Sequence, residues 1–114
     1  MSVTKKYGDA TEQAKAVTAN GAELVAGYGG DGTQHEIANA VLSAAVTTGR
    51  RVPIGILPGG TGNGFAREMN TPTTLRPAVE VLCTSRNTHN IDVARLSGLG
   101  QAQLEDKYTC CEIR

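Results

Sequence analysis

The sequence predicts an α/β fold, a three-layer Rossmann-like arrangement in which a parallel sheet carries helices on both faces. Short apolar runs typical of buried strands alternate along the chain with segments of helical periodicity. Two of these runs lead directly into glycine clusters, "GYGGDGT" at residues 27–33 and "PGGTGNG" at residues 58–64. Because parallel strands end at the same edge of a sheet, we expect both clusters at one edge, where ligands bind in such folds.

The first half of the chain is predicted to form two strands and two helices. "SVTKK" is predicted as a short strand, and "GDATEQAKAVTAN" as a helix that Asp9 or Thr11 can cap. "AELVAG" is the strand that enters the first glycine cluster. From Thr33 onward one apolar stripe at helical spacing predicts the most secure element of the chain. Its members are Ile37, Ala38, Val41, Leu42, Ala45 and Val46.

The second half continues the alternation as far as residue 96. "VPIGIL" is a buried-type strand that enters the second glycine cluster, and "FAREMN" is a short helical turn. "TLRPAVEVLCTS" is predicted as a helix with a proline in its first turn, and "HNIDVARL" as a last strand. Residues 97–114 show no clear periodicity. They are an uninterpreted tail or the start of a further domain.

Composition and charge exclude several classes of protein. The chain of 114 residues has 11 basic and 11 acidic side chains, so it lacks the net positive charge typical of nucleic-acid binding. No apolar run approaches the ~20 residues of a membrane span, and the first ten residues have no signal-peptide core. Three cysteines, with Cys110 and Cys111 adjacent, match neither a disulfide framework nor a Cys-x-x-Cys metal site. These features favour a cytoplasmic protein.

The glycine clusters themselves predict a phosphate site. A strand that ends in glycines and opens into a helix presents free backbone N–H groups and the positive end of the helix dipole to an anion. Asp31 among the glycines is explained if it faces a metal ion or a hydroxyl beside the phosphates, as phosphoryl transfer with Mg²⁺ requires. Thr33 and Thr61 could then donate to phosphate oxygens, and Asn63 could hold base, ribose or phosphate. The alternative is a pair of tight turns without a ligand.

Two better-known phosphate motifs are matched only superficially. Gly27, Gly29 and Gly32 satisfy G-x-G-x-x-G, but the acid that should hold a ribose about 20 residues later is missing. In the second cluster Gly59 and Gly64 have P-loop spacing. The next residues are Phe and Ala in place of Lys and Ser or Thr. Dinucleotide-dependent dehydrogenases and P-loop enzymes are therefore poor candidates.

The motif pair "GGDGT…HE…N" and "GILPGGTGNGFAR" resembles the diacylglycerol kinase catalytic domain family, which includes bacterial YegS-like lipid kinases and sphingosine and ceramide kinases. The resemblance covers roughly residues 2–96 and includes the stretch "VTKKYGDA", similar to a family stretch whose threonine lies near ATP. It implies transfer of the γ-phosphoryl of ATP to a diacylglycerol-like or sphingoid lipid hydroxyl, with Mg²⁺. "GGDGT" alone would also allow an NAD kinase-like phosphotransferase, and a non-catalytic or vestigial nucleotide-binding domain remains a further alternative.

The resemblance assigns roles to particular residues. Asp31 is predicted to be catalytic, and Glu36 and Asp92 are accessory candidates. The predicted nucleotide-binding residues are Thr4, Gly29, Gly30, Gly32, Thr33, Gly60, Thr61 and Asn63.

Departures from the family pattern set further expectations. Position 64 is glycine where the family usually has aspartate, and His35 replaces a common asparagine. We expect residues 1–96 to be part of the nucleotide-binding domain, without the second, β-rich domain that completes the family enzyme. The chain alone is accordingly expected to be inactive. Its expected partners are a nucleotide and, in the full-length protein, a lipid reached at the membrane surface.

Overall fold

The computed structural model describes residues 1–92, 94–96 and 107–109. Strands and helices alternate along these residues, as the sequence predicts. The elements are α1 (Asp9–Ala19), β1 (Val25–Gly29), α2 (Asp31–Thr48), β2 (Ile54–Pro58), α3 (Gly64–Glu68), α4 (Leu75–Thr84), β3 (Ala94–Leu96) and β4 (Lys107–Thr109).

The strands β1 and β2 form a parallel pair, and both end at the same level. The register places Val25 opposite Ile54 and Gly29 opposite Pro58. The ladder continues one step further, because the Gly59 N–H donates to the Gly29 carbonyl oxygen at 2.9 Å. Both glycine clusters therefore begin at the carboxyl edge of the sheet, which confirms the expected parallel arrangement.

One face of this sheet is covered by α1 and α2. Alanines on the facing sides of the two helices let them approach closely, and Ile37 of α2 fills the space that a side chain on Gly27 would need. Ile54 is 1% exposed at the centre of this core. Burial of an aliphatic side chain of this size stabilises the fold by roughly 1.5–3 kcal/mol. The buried members are Ala10, Ala14, Val25, Ile37, Ala38, Ala40, Val41, Val52 and Ile54.

The other face of the sheet is covered by α4. Side chains alternate along a strand, so Gly55 faces away from Ile54 and its neighbours. Leu82 of α4 occupies the space above Gly55, and Ala78 is buried one turn earlier. Leu75 and Val79 of the same helix are only partly covered, at 43% and 39% exposed. Helices thus lie on both faces, as predicted, but the α4 face is the more open.

The predicted N-terminal strand and helix cap are wrong. Residues 2–6 form no strand, because the N–H groups of Lys5 and Lys6 donate to the Asp9 carboxylate, at 2.8 and 3.1 Å, and turn the chain into α1. Asp9 therefore binds the preceding segment and caps nothing in α1. The N-cap position is Gly8, with a φ of +92° and no capping side chain. A glycine in this left-handed conformation makes the sharp entry into the helix possible.

The C-terminal prediction is correct only in part. Among the described residues of the predicted strand at 89–96, the strand comprises Ala94–Leu96, and it pairs antiparallel with β4, which the sequence did not indicate. The apolar face predicted for α2 is also longer than the face that is buried, because Val46, its last member, is 71% exposed. The predictions for residues 97–106 and 110–114, including those for Cys110 and Cys111, lie outside the described residues. No helix in the described ranges combines the length and the apolar character needed to cross a membrane.

Candidate functional site

The two glycine clusters meet backbone to backbone at the carboxyl edge of the sheet. A Cβ added to Gly60 would lie 2.5 Å from the Gly30 Cα atom, and one added to Gly30 would lie 3.2 Å from the Gly60 Cα atom. No side chain fits between loops at this separation. Glycine at both positions lets the loop after β1 and the loop after β2 form one continuous backbone surface.

A single carboxylate ties these loops together. Asp31 is the first residue of α2, and its two oxygens accept hydrogen bonds from the first two amides of α3: Oδ2 from Gly64 N at 3.1 Å and Oδ1 from Phe65 N at 3.0 Å. The amides at the start of a helix have no partner within that helix. Asp31 therefore caps α3 from a different element, 33 residues earlier in the chain.

These two hydrogen bonds also set the charge of Asp31. The amides of Phe65 and then Gly64 lower the pKa of this carboxyl, desolvation opposes them, and the charge of Arg67 adds a lowering effect smaller than that of desolvation. A carboxyl with a lowered pKa stays ionised and is a weak proton acceptor. Each oxygen keeps a lone pair beyond the one that the amide uses, and the side chain is exposed. Asp31 is thus suited to hold a cation rather than to remove a proton.

The second loop is closed by its own asparagine. Asn63 accepts from the Gly60 N–H through Oδ1 at 2.9 Å and donates to the Gly60 carbonyl through Nδ2 at 2.8 Å. Its φ of +49° is the left-handed conformation that asparagine tolerates better than most residues. The side-chain oxygen and nitrogen of Asn63 are therefore both used within the loop. Thr61, which lies between Gly60 and Asn63 in the chain, is exposed. Asn63 thus holds the second loop in shape. The sequence predicted instead that it contacts a ligand.

The N-terminus of α2 carries no side-chain cap. Gly30 occupies the N-cap position in an extended conformation and makes no capping hydrogen bond. Gly32 has open space where a side chain would point, whereas the Thr33 side chain folds back against Gly29, where an added Cβ would lie 2.5 Å from its Oγ1. No side chain therefore caps the first amides of this 18-residue helix, which begins beside the Gly30–Gly60 contact. That is the arrangement typical of anion sites.

The remaining predicted site residues lie apart from this surface or serve another contact. Glu36 accepts a hydrogen bond from Gly8 N at 3.2 Å and so fastens the segment before α1 to α2. Thr4 lies in that N-terminal segment and is exposed, and Asp92 is exposed after α4. His35 is exposed and contacts Asn39 through Nε2 at 3.2 Å. Within residues 1–92, none of these side chains forms a hydrogen bond to either glycine loop.

Sequence reasoning missed two residues beside the loops. Gln34 is 4% exposed, and its Nε2 donates to the Gly27 carbonyl at 2.8 Å, which braces the first turn of α2 against β1. Its Oε1 is buried with no hydrogen-bond partner in the described part of the chain. Tyr28 lies at the end of β1 with its ring against Gly59. A signal was present for Tyr28, an aromatic residue between glycines, but none for Gln34, which resembles any polar helix residue.

The described side chains provide only the smallest set of protein ligands that is typical of a magnesium site, a single carboxylate. Within residues 1–92 no group of three His, Cys, Asp or Glu side chains could hold a metal by itself. Mg²⁺ in phosphoryl-transfer sites is usually bound by one or two carboxylates together with substrate phosphates and waters. Asp31, ionised, exposed and next to the open end of α2, meets that smaller requirement.

Comparison with known proteins identifies the class and then the family. The geometry defines an α/β domain with two glycine loops joined at the carboxyl ends of parallel strands. Residues 1–96 match the diacylglycerol kinase catalytic domain family. The chain belongs to that family, as its motif pair indicated.

Individual relatives agree with this assignment. A diacylglycerol kinase of Staphylococcus carnosus is 32% identical over 94 residues, which cover 82% of this chain and 29% of that protein. One of Staphylococcus saprophyticus is 31% identical over the same shares. The crystal structure of a diacylglycerol kinase from Bacillus anthracis superposes with a TM-score of 0.67 at 31% identity, covering 79% of this chain and 29% of that one. The chain thus spans less than a third of the length of these relatives.

Proposed function

We propose that this chain forms the ATP-binding part of a lipid kinase, which transfers the γ-phosphoryl of ATP to a lipid hydroxyl of diacylglycerol-like or sphingoid type. The family membership supports the general class of reaction. The observation that carries the proposal is the contact between Gly30 and Gly60 beside the uncapped N-terminus of α2. There, backbone amides and the helix dipole can face the phosphates of a nucleotide.

Each loop has a different task in this proposal. The open amides at Gly32 and Thr33 bind phosphate oxygens, and the exposed hydroxyl of Thr61 donates from the other loop. Gly29 makes room for the Thr33 side chain, and Gly30 and Gly60 let the two loops pack backbone to backbone beside the N-terminus of α2. Asn63 binds no ligand directly and instead keeps the second loop in shape through its two bonds to Gly60.

Asp31 acts by charge and by position. Its carboxylate holds Mg²⁺ together with the phosphates, and the ion, when bound, neutralises charge on the transferred phosphoryl group. The bonds to the Gly64 and Phe65 amides fix where that charge stands relative to both loops.

The test is ligand binding followed by turnover. Mg²⁺·ATP at a hundredfold excess over its Kd should stabilise the folded chain by about 2.7 kcal/mol, measured as a rise in Tm and checked by calorimetry. The full-length protein should then phosphorylate at least one member of a panel of diacylglycerols and sphingoid bases in the presence of Mg²⁺. The same experiments with NAD as the ligand and acceptor provide the comparison.

Three outcomes would overturn the proposal. Phosphorylation of NAD in place of every lipid would assign the site to an NAD kinase-like phosphotransferase. ATP binding with no transfer to any acceptor by the full-length protein would mark a nucleotide-binding domain without catalysis. A folded chain that responds to neither nucleotide would leave the glycine loops as turns with no ligand.

A further inference from the structure

Tyr28 is a large aromatic side chain left uncovered beside the glycine loops. It is the last residue of β1 before Gly29, and it is 62% exposed, whereas Gly27 just before it is buried. Most tyrosines in a strand of a covered sheet bury the ring and leave only the hydroxyl near water. No hydrogen bond to the Tyr28 side chain is found within residues 1–92. Nothing in the described core therefore explains why an aromatic ring stands at this position.

The ring is backed by the second loop. A Cβ added to Gly59 would lie 2.7 Å from both Cε2 and Cζ of Tyr28, so the ring occupies the space that a side chain on Gly59 would take. Glycine at position 59 thus gives the ring a backbone support and leaves the rest of its surface open.

We infer that the Tyr28 ring is the surface on which the base of the bound nucleotide stacks. The inference rests on the proposed nucleotide binding and adds to it the site of the base. Tyr28 and Gly30 are two residues apart, about 7 Å along a strand, so a nucleotide with its phosphates at Gly30 and Gly32 needs only its sugar to bring the base over the ring. Every base has a flat π surface that stacks well on tyrosine. A lipid chain would instead need a continuous apolar surface, which glycine backbone does not provide.

The experiment separates binding of the base from binding of the phosphates. Affinities of the full chain for Mg²⁺·ATP and for Mg²⁺·tripolyphosphate, which has no base, are measured by calorimetry for the wild type, Tyr28→Ala and Tyr28→Phe. Tyr28→Ala should weaken ATP binding by about 5- to 150-fold and leave tripolyphosphate binding unchanged. Tyr28→Phe keeps the ring and should retain the wild-type affinity for ATP. Tyr7→Ala, which removes the same side chain from a position 82% exposed, is the matched control and should have no effect.

Each other result has a distinct meaning. If the wild type binds ATP and Tyr28→Ala binds it equally well, the stacking inference is wrong while the proposed function stands. An equal loss for ATP and tripolyphosphate would show that Tyr28 supports the loop structure and does not contact the base, which also contradicts the inference. If the folded wild type binds neither ligand, both the inference and the proposed function fail.

Discussion

The two glycine loops look alike in sequence, yet their glycines are needed for different reasons. In the first loop the neighbours are side chains: Ile37 fills the space at Gly27, and Thr33 that at Gly29. In the second loop the decisive neighbour is backbone, because Gly60 lies against the Cα atom of Gly30. A substitution at Gly27 or Gly29 can therefore be accommodated by moving a side chain, whereas one at Gly60 can be accommodated only if one loop moves away from the other.

The helices that follow the two loops differ in a matching way. α2 has 18 residues and an uncapped N-terminus, while α3 has five residues and its first amides are taken by Asp31. The anion-binding capacity of the pair is thus concentrated at α2. The first loop thus leads into a helix whose N-terminus has no side-chain cap, whereas the second leads into a helix whose first two amides bind Asp31.

The largest effect is expected from Asp31→Asn. The amide side chain has one acceptor oxygen, so one of the two α3 amides loses its partner, and the negative charge is lost as well. We expect kcat of the full-length protein to fall on the order of a hundredfold, because a shift of about 1 Å in a catalytic loop already has such an effect. Far-UV circular dichroism should remain that of the wild type. Glu68→Gln, which removes an exposed charge from α3 itself, is the control and should keep its activity.

The pH dependence of stability tests the same bonds without a substrate. The pKa of Asp31 in the folded chain is below its ordinary value of 3.8, chiefly because of the Phe65 amide. The resulting stabilisation is present above that value and is lost as the pH falls through the lower, folded-state pKa. Below about pH 4 the Tm of the wild type should therefore fall more steeply than that of Asp31→Asn. Parallel curves would show that the bonds from Asp31 to the α3 amides do not stabilise the fold. An Asp31→Asn variant that is less stable but keeps the wild-type kcat while folded would make Asp31 a structural residue only.

A smaller effect, on stability, is expected from Gly60→Ala. Its new Cβ would meet the Gly30 Cα atom at 2.5 Å, so the loops must separate. The free energy of unfolding should fall by about 1–3 kcal/mol, as in other overpacked sites. Gly62→Ala is the matched variant in the same loop, because its Cβ would lie 3.6 Å from the Asp31 Oδ2 atom, an ordinary contact. It should change stability by no more than about 0.5 kcal/mol. Equal losses in urea denaturation would show that the loops are not in contact.

The smallest of these effects distinguishes two roles of Asn63. Asn63→Gly removes the bonds to Gly60 but tolerates a φ of +49°. It should cost about 0.5–1.5 kcal/mol of unfolding free energy. Asn63→Ala loses the same bonds and adds roughly 1 kcal/mol for the left-handed conformation. The stability order wild type, then glycine, then alanine is checked by thermal denaturation. An alanine variant as stable as the glycine variant would contradict the left-handed backbone at this position.

Much of the architecture was predictable because it follows from local patterns. The stripe of α2, the buried run of β2 and the glycine clusters predict the elements that bring both loops to one edge. The contact between Asp31 and the amides of Gly64 and Phe65 was not predictable, because residues more than 30 positions apart meet only after the sheet has formed. β4 was missed because three residues, Lys107–Thr109, are too few to show an alternating pattern.

The predicted strand at residues 2–6 failed for a different reason. β-propensity describes how well a residue fits a half-buried sheet surface, and it is overridden where a competing local bond is available. Here the Asp9 side chain provides that bond to the Lys5 and Lys6 amides. Asp9, which the sequence suggested as a helix cap, therefore prevents the formation of the strand predicted before the helix.

The carboxylate that joins α3 to the start of α2 also constrains how this part of the molecule can move. A hinge that displaced α2 would take the second loop with it, since both oxygens of Asp31 hold the amides of α3. The two loops then behave as one rigid body, and a change in their spacing requires both bonds to break together. Any opening or closing at this edge of the sheet must accordingly come from elements that approach this body from outside, while the surface formed by the two loops keeps its shape.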